Sequence, residues 1–226
     1  MKKVKNFINL PYKDLNKDFI SYATQKLINK KLNKKQIKLL NFIVNILYQF
    51  EYDELTPSSS MIAFLMSGAG LDYPQVISSS INSFGKNHLC FTEMAEFILN
   101  DYKINSKYYP GFGHPIFKGQ DPRIIAIIKQ MEKLNIKSKK LQKSLSFAKE
   151  KDICLNIGGC CVAVLLDLGF DKYTVNYFPS ISRMLGLSLI YKKSKEKNLR
   201  FATAKDSIDK YKNLFQHSNL DNTELS

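Results

Sequence analysis

Apolar side chains recur at helical spacing along most of this 226-residue chain. The helix predicted over residues 34–51 is typical, with an apolar face made of Ile37, Leu40, Val44 and Leu47 and a polar face opposite. No stretch alternates apolar and polar residues over the length of a strand, and no internal repeat is visible. The sequence therefore predicts an all-helical fold.

Helix start and stop signals place the remaining predicted helices. One run, 160–168, is apolar on every side, which predicts a buried helix that Gly169 ends. By contrast, 137–151 is rich in lysine and predicts a solvated surface helix, with phosphate binding as the alternative. The other predicted helices cover 61–67, 74–84, 92–100, a stretch that starts at 121, 173–178 and 179–193.

The net charge of +14 comes from 34 basic residues against 20 acidic ones. Nearly all the basic residues are lysines spread through the whole chain, a distribution that favours a solvated surface over a nucleic-acid partner. A basic, helical nucleic-acid binder stays open as a third alternative, which a steep salt dependence would support. The three arginines are Arg123, Arg183 and Arg200. Where lysine is the default cation, an arginine suggests a site that needs its planar fork for carboxylate or phosphate.

The cysteines and the apolar runs limit the class of protein further. Cys90, Cys154, Cys160 and Cys161 show no Cys-x-x-Cys spacing, so we expect free thiols and no metal site. No apolar run approaches the ~20 residues that span a bilayer. The basic start is followed by an apolar run too short for a signal peptide. We therefore expect a cytoplasmic protein without a membrane partner.

The stretch 109–123 holds the densest chemical information in the chain. Gly111 and Gly113 flank Phe112, so the backbone is free to turn and a ligand can approach it closely. His114 follows directly and is restricted by Pro115, which predicts a stiff turn that presents an imidazole.

The end of the same stretch predicts a helix start. Asp121 is suited to cap free N–H groups, and Pro122 is favourable in a first turn. Arg123 would then lie at the N-terminus of this helix, nine residues after His114. Together with Lys118, these residues predict a small anion site.

The residues Gly111-Phe112-Gly113-His114-Pro115 and Asp121-Pro122-Arg123 resemble the signature pair of the citrate synthase superfamily. A second block, Leu155-Asn156-Ile157-Gly158-Gly159 followed by Leu165-Leu166-Asp167-Leu168-Gly169-Phe170, is similar to the short citryl-CoA lyase branch and to the C-terminal module of ATP-citrate lyase. A third, Ser182-Arg183-x-x-Gly186, resembles the family's Arg-x-x-Gly helix. The resemblance covers roughly residues 55 to 205.

The resemblance implies an all-α, citrate-synthase-like fold. A large helical domain would comprise 1–86 and 166–226, and a small domain would comprise 87–165. It also implies a homodimer whose site lies between the domains. The substrates would be an acyl-CoA and a di- or tricarboxylate, with the coenzyme A thioester as substrate and no metal.

Roles for individual residues follow from the same resemblance. His114 would polarise the keto carbonyl of oxaloacetate or the matching hydroxyl of citryl-CoA. Arg123 and Arg183 would clamp the substrate carboxylates. Arg200 matches a further carboxylate-binding arginine that reaches a partner subunit's site, although no proline follows it. The cofactor contacts would come from Lys118, at a position where a basic residue contacts CoA phosphate, and from Gly111 and Gly113.

The sequence departs from the family pattern where the acyl group is activated. The family's catalytic base is the Asp of Asn-x-Asp-Gly, and Gly158 stands in its place. Phe84 stands where citrate synthases have a thioester-side histidine, and a phenylalanine there resembles the lyase branch. Ser67 to Gly70 replace the family's Asp-His-Gly region. His88 is a candidate to fill the gap, although an ordinary half-buried histidine is the simpler interpretation. Asp152 and Asp167 are candidate replacement bases, neither at the right offset.

These observations leave two main functional hypotheses. The first is a citrate synthase-like acyltransferase or a citryl-CoA-type lyase with altered chemistry. One suitable acyl donor would be a malonyl-type thioester, which forms its enolate by loss of CO₂. The second is a non-catalytic homologue that binds CoA or a polycarboxylate.

Overall fold

The structure, a computed structural model, describes residues 18–48, 58–85, 89–103, 108–113, 119 and 121–198. These residues form nine α-helices and one short 3₁₀-helix, and no β-strand occurs among them. Phe112 and Leu155 form an isolated antiparallel bridge. The all-helical prediction is confirmed. The α-helices are α1 (Phe19–Ile28), α2 (Lys34–Tyr48), α3 (Ser58–Gly68), α4 (Tyr73–Ile81), α5 (Phe91–Leu99), α6 (Pro122–Leu134), α7 (Lys139–Glu150), α8 (Ile157–Leu168) and α9 (Tyr177–Glu196), and the 3₁₀-helix is Thr174–Asn176. Of the described helices, none is long and apolar enough to cross a membrane.

Several helix boundaries differ from the predicted ones. Helix α1 was not predicted, although Asp18 caps it by accepting a hydrogen bond from the Ser21 amide at 2.9 Å. Helix α8 starts three residues earlier than predicted because Asn156 caps it. Pro179 does not start a helix: it lies inside the first turn of α9, where proline is tolerated because the early N–H groups have no partner within the helix.

Contacts within the chain group the described residues into two compact units. The first contains 18–46 and 91–177, and the second contains 47–48, 58–85, 89–90 and 178–198. The boundaries of these units differ from those of the predicted domains. The prediction assigned the first helices to the large domain together with 166–226, whereas the contacts group 18–46 with 91–177. The predicted domains of the family stay a prediction for this chain.

Helix α8 forms the centre of the first unit. It packs against α5, α6 and α7, and all its residues except Asp167 are buried. The apolar run therefore behaves as predicted, because a helix surrounded by other helices has no face left for water. In the described part of the chain, side-chain hydrogen bonds join both ends of α8 to other segments: Asn156 bonds at the N-terminus, and Asp167 bonds near the C-terminus.

The second unit has a separate small core. Helices α3 and α4 pack against each other, and residues of α9 complete the cluster. Tyr73 on α4 also reaches α9, where its hydroxyl lies 2.8 Å from that of Ser188. The buried cluster consists of Ala63, Phe64, Val76, Ile77, Leu187 and Ile190.

Candidate functional site

The glycine-rich loop that leads to His114 is anchored by an aromatic cluster. Phe112 is only 7% exposed, and its ring packs edge-on against Phe97 at 6.0 Å and against Phe147 at 5.1 Å between centroids. Tyr102 stacks on Phe147 at 4.8 Å, and its hydroxyl lies 2.8 Å from that of Ser144. Edge and offset ring packing of this kind adds stability beyond area burial. The loop therefore has a fixed apolar foundation on α5 and α7.

The loop is also hydrogen-bonded to the segment that opens α8. The Gly113 amide donates to the Cys154 carbonyl at 2.7 Å, and the Asn156 amide donates to the Gly111 carbonyl at 3.0 Å. Between them lies the bridge of Phe112 with Leu155. Two of the sequence blocks that carried the family resemblance are thus joined backbone to backbone.

The approach at Gly111 is too close for any other residue. Its φ is +88°, and a Cβ placed on it would lie 2.9 Å from the Cα of Gly159. A Cβ on Gly159 would in turn collide with the Gly111 carbonyl oxygen. Both glycines are therefore required by the packing of loop on helix. The cofactor contact predicted for Gly111 stays a prediction, as does that of Gly113, which has a φ of +76° and no atom of the described residues within 4 Å of its Cβ position.

The side chain of Asn156 uses both ends of its amide at this junction. Its Oδ1 accepts from the Gly159 amide at 3.0 Å, which caps α8. Its Nδ2 donates to the Gly113 carbonyl at 3.1 Å. One side chain therefore joins the helix N-terminus to the last described residue before His114.

Arg123 is held at the N-terminus of α6 by Asp121, as the helix-start signal predicts. Asp121 caps the helix by accepting from the Arg123 amide at 2.9 Å, and its carboxylate also binds the guanidinium, with Nη2 to Oδ2 at 2.6 Å and Nε to Oδ1 at 3.0 Å. The Asp121 side chain is 1% exposed and that of Arg123 is 27% exposed. Because a guanidinium has five N–H donors in a planar fork, this contact fixes its orientation along one edge.

Gly158 is packed against a sulfur side chain. A Cβ placed there would lie 3.1 Å from both the Sδ and the Cε of Met94 on α5, and 3.2 Å from the Oδ1 of Asn156. Met94 is itself 7% exposed. The space next to this glycine is therefore filled by a flexible thioether, the kind of side chain that fills irregular gaps.

The two aspartates considered as replacement bases serve other purposes or lie on the surface. Asp167 accepts from the Ser138 hydroxyl at 2.7 Å and from the Lys140 amide at 2.8 Å, so it stabilises the N-terminus of α7. Burial pushes the pKa of Asp167 upward, but the hydrogen bonds from Lys140 and Ser138 outweigh it and the pKa is lowered. Asp152 is exposed in the turn after α7. Asp167 therefore caps α7, and its role as a replacement base stays a prediction.

The remaining predicted site residues are divided between the second unit and undescribed parts of the chain. Arg183 belongs to α9 and is 6% exposed. Ser67, the first residue of the stretch predicted to replace the family's Asp-His-Gly region, is buried and donates to the Ala63 carbonyl at 2.6 Å. The residues that lie outside the described part of the chain are His114, Lys118, Arg200 and His88.

None of the four cysteines forms a disulfide; Cys160 and Cys161 are buried, and Cys90 and Cys154 are half-buried. Burial raises the pKa of the Cys160 thiol well above its ordinary value, and the neighbouring Cys161 and Asp121 add to the effect. This thiol is therefore protonated and unsuited to nucleophilic attack. Among the described residues, no group of three or more His, Cys, Asp or Glu side chains could hold a metal ion.

Two residues of this site were not assigned a function from sequence. Asn156 stands directly before a helix, and an asparagine there is an N-cap signal that could have been recognised. Met94 gave no signal, because its importance arises only from the packing of α5 against α8.

Comparison with known proteins places this arrangement in a known fold. No protein-family model matches the chain, and no curated protein matches it. Solved structures do match, and they define the fold as citrate-synthase-like, which confirms the predicted resemblance at the level of fold.

Three solved structures illustrate the match. Citryl-CoA lyase from Hydrogenobacter thermophilus has a TM-score of 0.68 at 18% identity, over 79% of this chain and 76% of the lyase chain. A variant ATP citrate lyase from Methanosaeta concilii, in complex with (3S)-citryl-CoA, has a TM-score of 0.70 at 17% identity, over 84% of this chain. The chain spans only 36% of that enzyme. Citrate synthase from Thermotoga maritima has a TM-score of 0.60 at 16% identity, over 77% of this chain and 52% of that one.

Proposed function

We propose that the protein acts on an acyl-CoA and a keto acid, and forms or breaks the carbon–carbon bond between the α-carbon of the acyl group and the keto carbon. The observation that supports this proposal is the junction of the glycine loop 111–113 with the N-terminus of α8, in a chain of the citrate-synthase-like fold. This junction holds Gly113, the residue that directly precedes His114 in the sequence. Chemistry of this kind requires that the catalytic group be held in a fixed position and orientation.

The proposed functional groups divide by chemistry. His114 would donate a proton or hydrogen bond to the keto oxygen as negative charge develops there. Arg123 would bind a substrate carboxylate, with its orientation set in advance by Asp121. Arg183 and Arg200 are proposed to bind further carboxylates, and Lys118 to contact the phosphate of coenzyme A. The thioester is a substrate, and the proposed reaction uses no metal.

The filled space beside Gly158 supports an acyl donor that needs no proton removed. A malonyl-type thioester meets this condition: its C–CO₂ bond breaks, CO₂ leaves, and the electron pair becomes the enolate. The enolate carbon then attacks the keto carbonyl, whose oxygen takes a proton from His114. No carboxylate base is required at any step, so the position of Met94 is compatible with this reaction.

The test is a panel of acyl-CoA and keto-acid pairs, with release of free CoA as the readout. We expect one pair to give release that falls on the order of 10²- to 10⁴-fold in His114→Ala, the range typical of an acid–base group. Arg123→Lys keeps the charge but loses the fork, so we expect a raised KM with a smaller change in kcat. If wild type and His114→Ala release CoA equally with every pair, the enzymatic proposal is wrong.

A second candidate function is a non-catalytic protein that binds CoA or a polycarboxylate. It is favoured by the same contact of Met94 with Gly158, because the described part of this junction offers hydrogen bonds but no base. It predicts calorimetric binding of citrate or CoA that is lost in Arg123→Ala, with no turnover of any pair. Steep salt dependence of DNA or RNA binding would instead support the nucleic-acid alternative.

We also propose that the protein is a cytoplasmic homodimer. A two-fold assembly is the arrangement that the family resemblance implies, and Arg200 would then serve a partner subunit's site. Sedimentation at several protein concentrations tests the assembly. A single monomer mass at micromolar concentration would contradict it.

A further inference from the structure

We infer that Asn156 is a positioning residue for His114, acting through the peptide unit that links Gly113 to His114. This inference deepens the proposed function, because it concerns the residue that would carry the acid–base chemistry. It stands on the hydrogen bonds of the junction, which do not depend on that function.

Gly113 is held on both of its polar groups by the segment before α8. Its N–H donates to the Cys154 carbonyl at 2.7 Å, and its C=O accepts from the Asn156 side chain at 3.1 Å. Gly113 has a φ of +76°, and no atom of the described residues lies within 4 Å of its Cβ position. In the described part of the chain, hydrogen bonds therefore supply its restraint.

The bond to the Gly113 carbonyl bears directly on the next residue. A peptide unit is planar, so an atom that fixes its carbonyl oxygen also fixes the plane in which its nitrogen lies. That nitrogen belongs to His114. Loss of the Asn156 donor would leave this peptide plane free to rotate about the ψ of Gly113.

The asparagine side chain has an N–H donor that helix capping does not use. Ser, Thr and Asp cap helices about as well as Asn. Of these, Asn alone combines the capping acceptor with a side-chain N–H donor on the opposite side of the same planar group. The structure uses both sides, on Gly159 and on Gly113. The second contact is what the other capping residues could not make.

The test compares Asn156→Ser with wild type by NMR of isotopically labelled histidine imidazoles. The chain has three histidines, and the signal lost in His114→Ala assigns His114. Serine keeps a capping acceptor but cannot donate across to Gly113, so we expect α8 to remain capped while the His114 signal shifts or broadens. Asn156→Asp, which also caps and does not donate, should move the same signal.

Two controls separate positioning from general loss of stability. Asp167→Asn weakens the other end of α8 and should leave the His114 signal unchanged at a comparable fall in Tm. The signals of the other two histidines should stay in place in every variant. An unshifted His114 signal in folded Asn156→Ser and Asn156→Asp overturns the inference.

Activity provides a second readout if a reacting substrate pair is found. We expect kcat in Asn156→Ser to fall by about tenfold to a hundredfold with little change in KM, since a displaced catalytic group affects the reaction more than binding. The NMR result does not depend on turnover. A shifted signal in a protein without activity would therefore support the positioning of His114 and contradict only the enzymatic proposal.

Discussion

The two ends of α8 are built from opposite kinds of residue. At the N-terminus, Asn156 to Gly159 present an amide, backbone N–H groups and two glycines to the loop. At the C-terminus, the Asp167 carboxylate caps α7, and the Lys30 ammonium donates to the Leu168 carbonyl at 3.5 Å. The helix thus has one carboxylate, and that group stabilises the fold. The N-terminal end of α8 therefore carries no carboxylate of its own, and the acid–base group proposed for it, His114, belongs to the loop.

Among the changes considered, Gly159→Ala should destabilise the protein most, because the added methyl group lies directly in the contact between the loop and α8. The added Cβ would collide with the Gly111 carbonyl and lie 3.0 Å from its carbon, and backbone cannot move aside as a side chain can. We expect the free energy of unfolding to fall by about 3 kcal/mol or more, at the upper end for overpacking. Denaturant unfolding followed by circular dichroism measures it.

The matched control is Gly158→Ala in the same turn. Its Cβ would meet the flexible end of Met94 at 3.1 Å, and the gain in helix propensity of about 1 kcal/mol offsets part of the strain. We expect a change within about 1 kcal/mol of zero. Equal losses in the two variants would show that the loop does not pack on Gly159 as described.

At the other end of α8, Asp167→Asn should have the second largest effect. The change removes the charge from hydrogen bonds donated by Ser138 and Lys140, and we expect a loss of about 1.5 kcal/mol. The ion pair with the Lys140 ammonium is partly exposed, so it adds little. Thermal unfolding at pH 7 measures the difference.

The pH dependence of that difference has a definite sign. The pKa of Asp167 is lowered from 3.8 in the folded protein, so its stabilising contribution is fully present above about pH 4. The contribution is lost as pH falls through the lowered folded pKa. Wild type and Asp167→Asn should therefore converge in stability below about pH 3.8. A gap that stays constant down to about pH 2 would contradict the assignment.

The contrast between the two ends also shows what the sequence could predict. Helical spacing and apolar content were enough to predict α8 as a buried helix, and Asp121-Pro122 was enough to predict the start of α6. Those signals are local. The use of Asp167 as a cap depends on a contact with Lys140, 27 residues away, and the filling of the Gly158 site depends on Met94. Neither contact can be predicted from the residues close to it in the sequence.

Gly158→Asp combined with Met94→Ala tests whether Met94 fills the space that an aspartate at position 158 would need. The introduced carboxylate side chain would push against the Met94 thioether, so we expect each single change to destabilise and the double change to cost less than the sum of the two. A coupling energy of about 1 kcal/mol is expected for side chains in direct contact. A double-mutant cycle in denaturant measures it, with Met94→Ala alone as the fourth corner.

Additive effects would show that Met94 does not occupy the space that an aspartate needs. If the proposed function holds, the double variant has a further consequence. The carboxylate introduced beside the loop should allow reaction of acyl-CoA donors that require proton removal. CoA release from these donors should then be higher in the double variant than in Gly158→Asp alone. If the added carboxylate does not change the release of CoA from such donors, the acyl group does not bind next to position 158.

Lys30→Met should have the smallest effect and tests the charged end of α8 alone. The Lys30 stem lies against Gly169, where a Cβ would be 3.5 Å from its Cδ, and methionine keeps that apolar contact while removing the ammonium. A cation near a helix C-terminus contributes about 0.3–1 kcal/mol, and salt screens it. We therefore expect a loss of about 0.5 kcal/mol in low salt that disappears at about 1 M salt, measured by denaturant unfolding. A loss that persists in high salt would mean that the stem, and not the charge, stabilises this end.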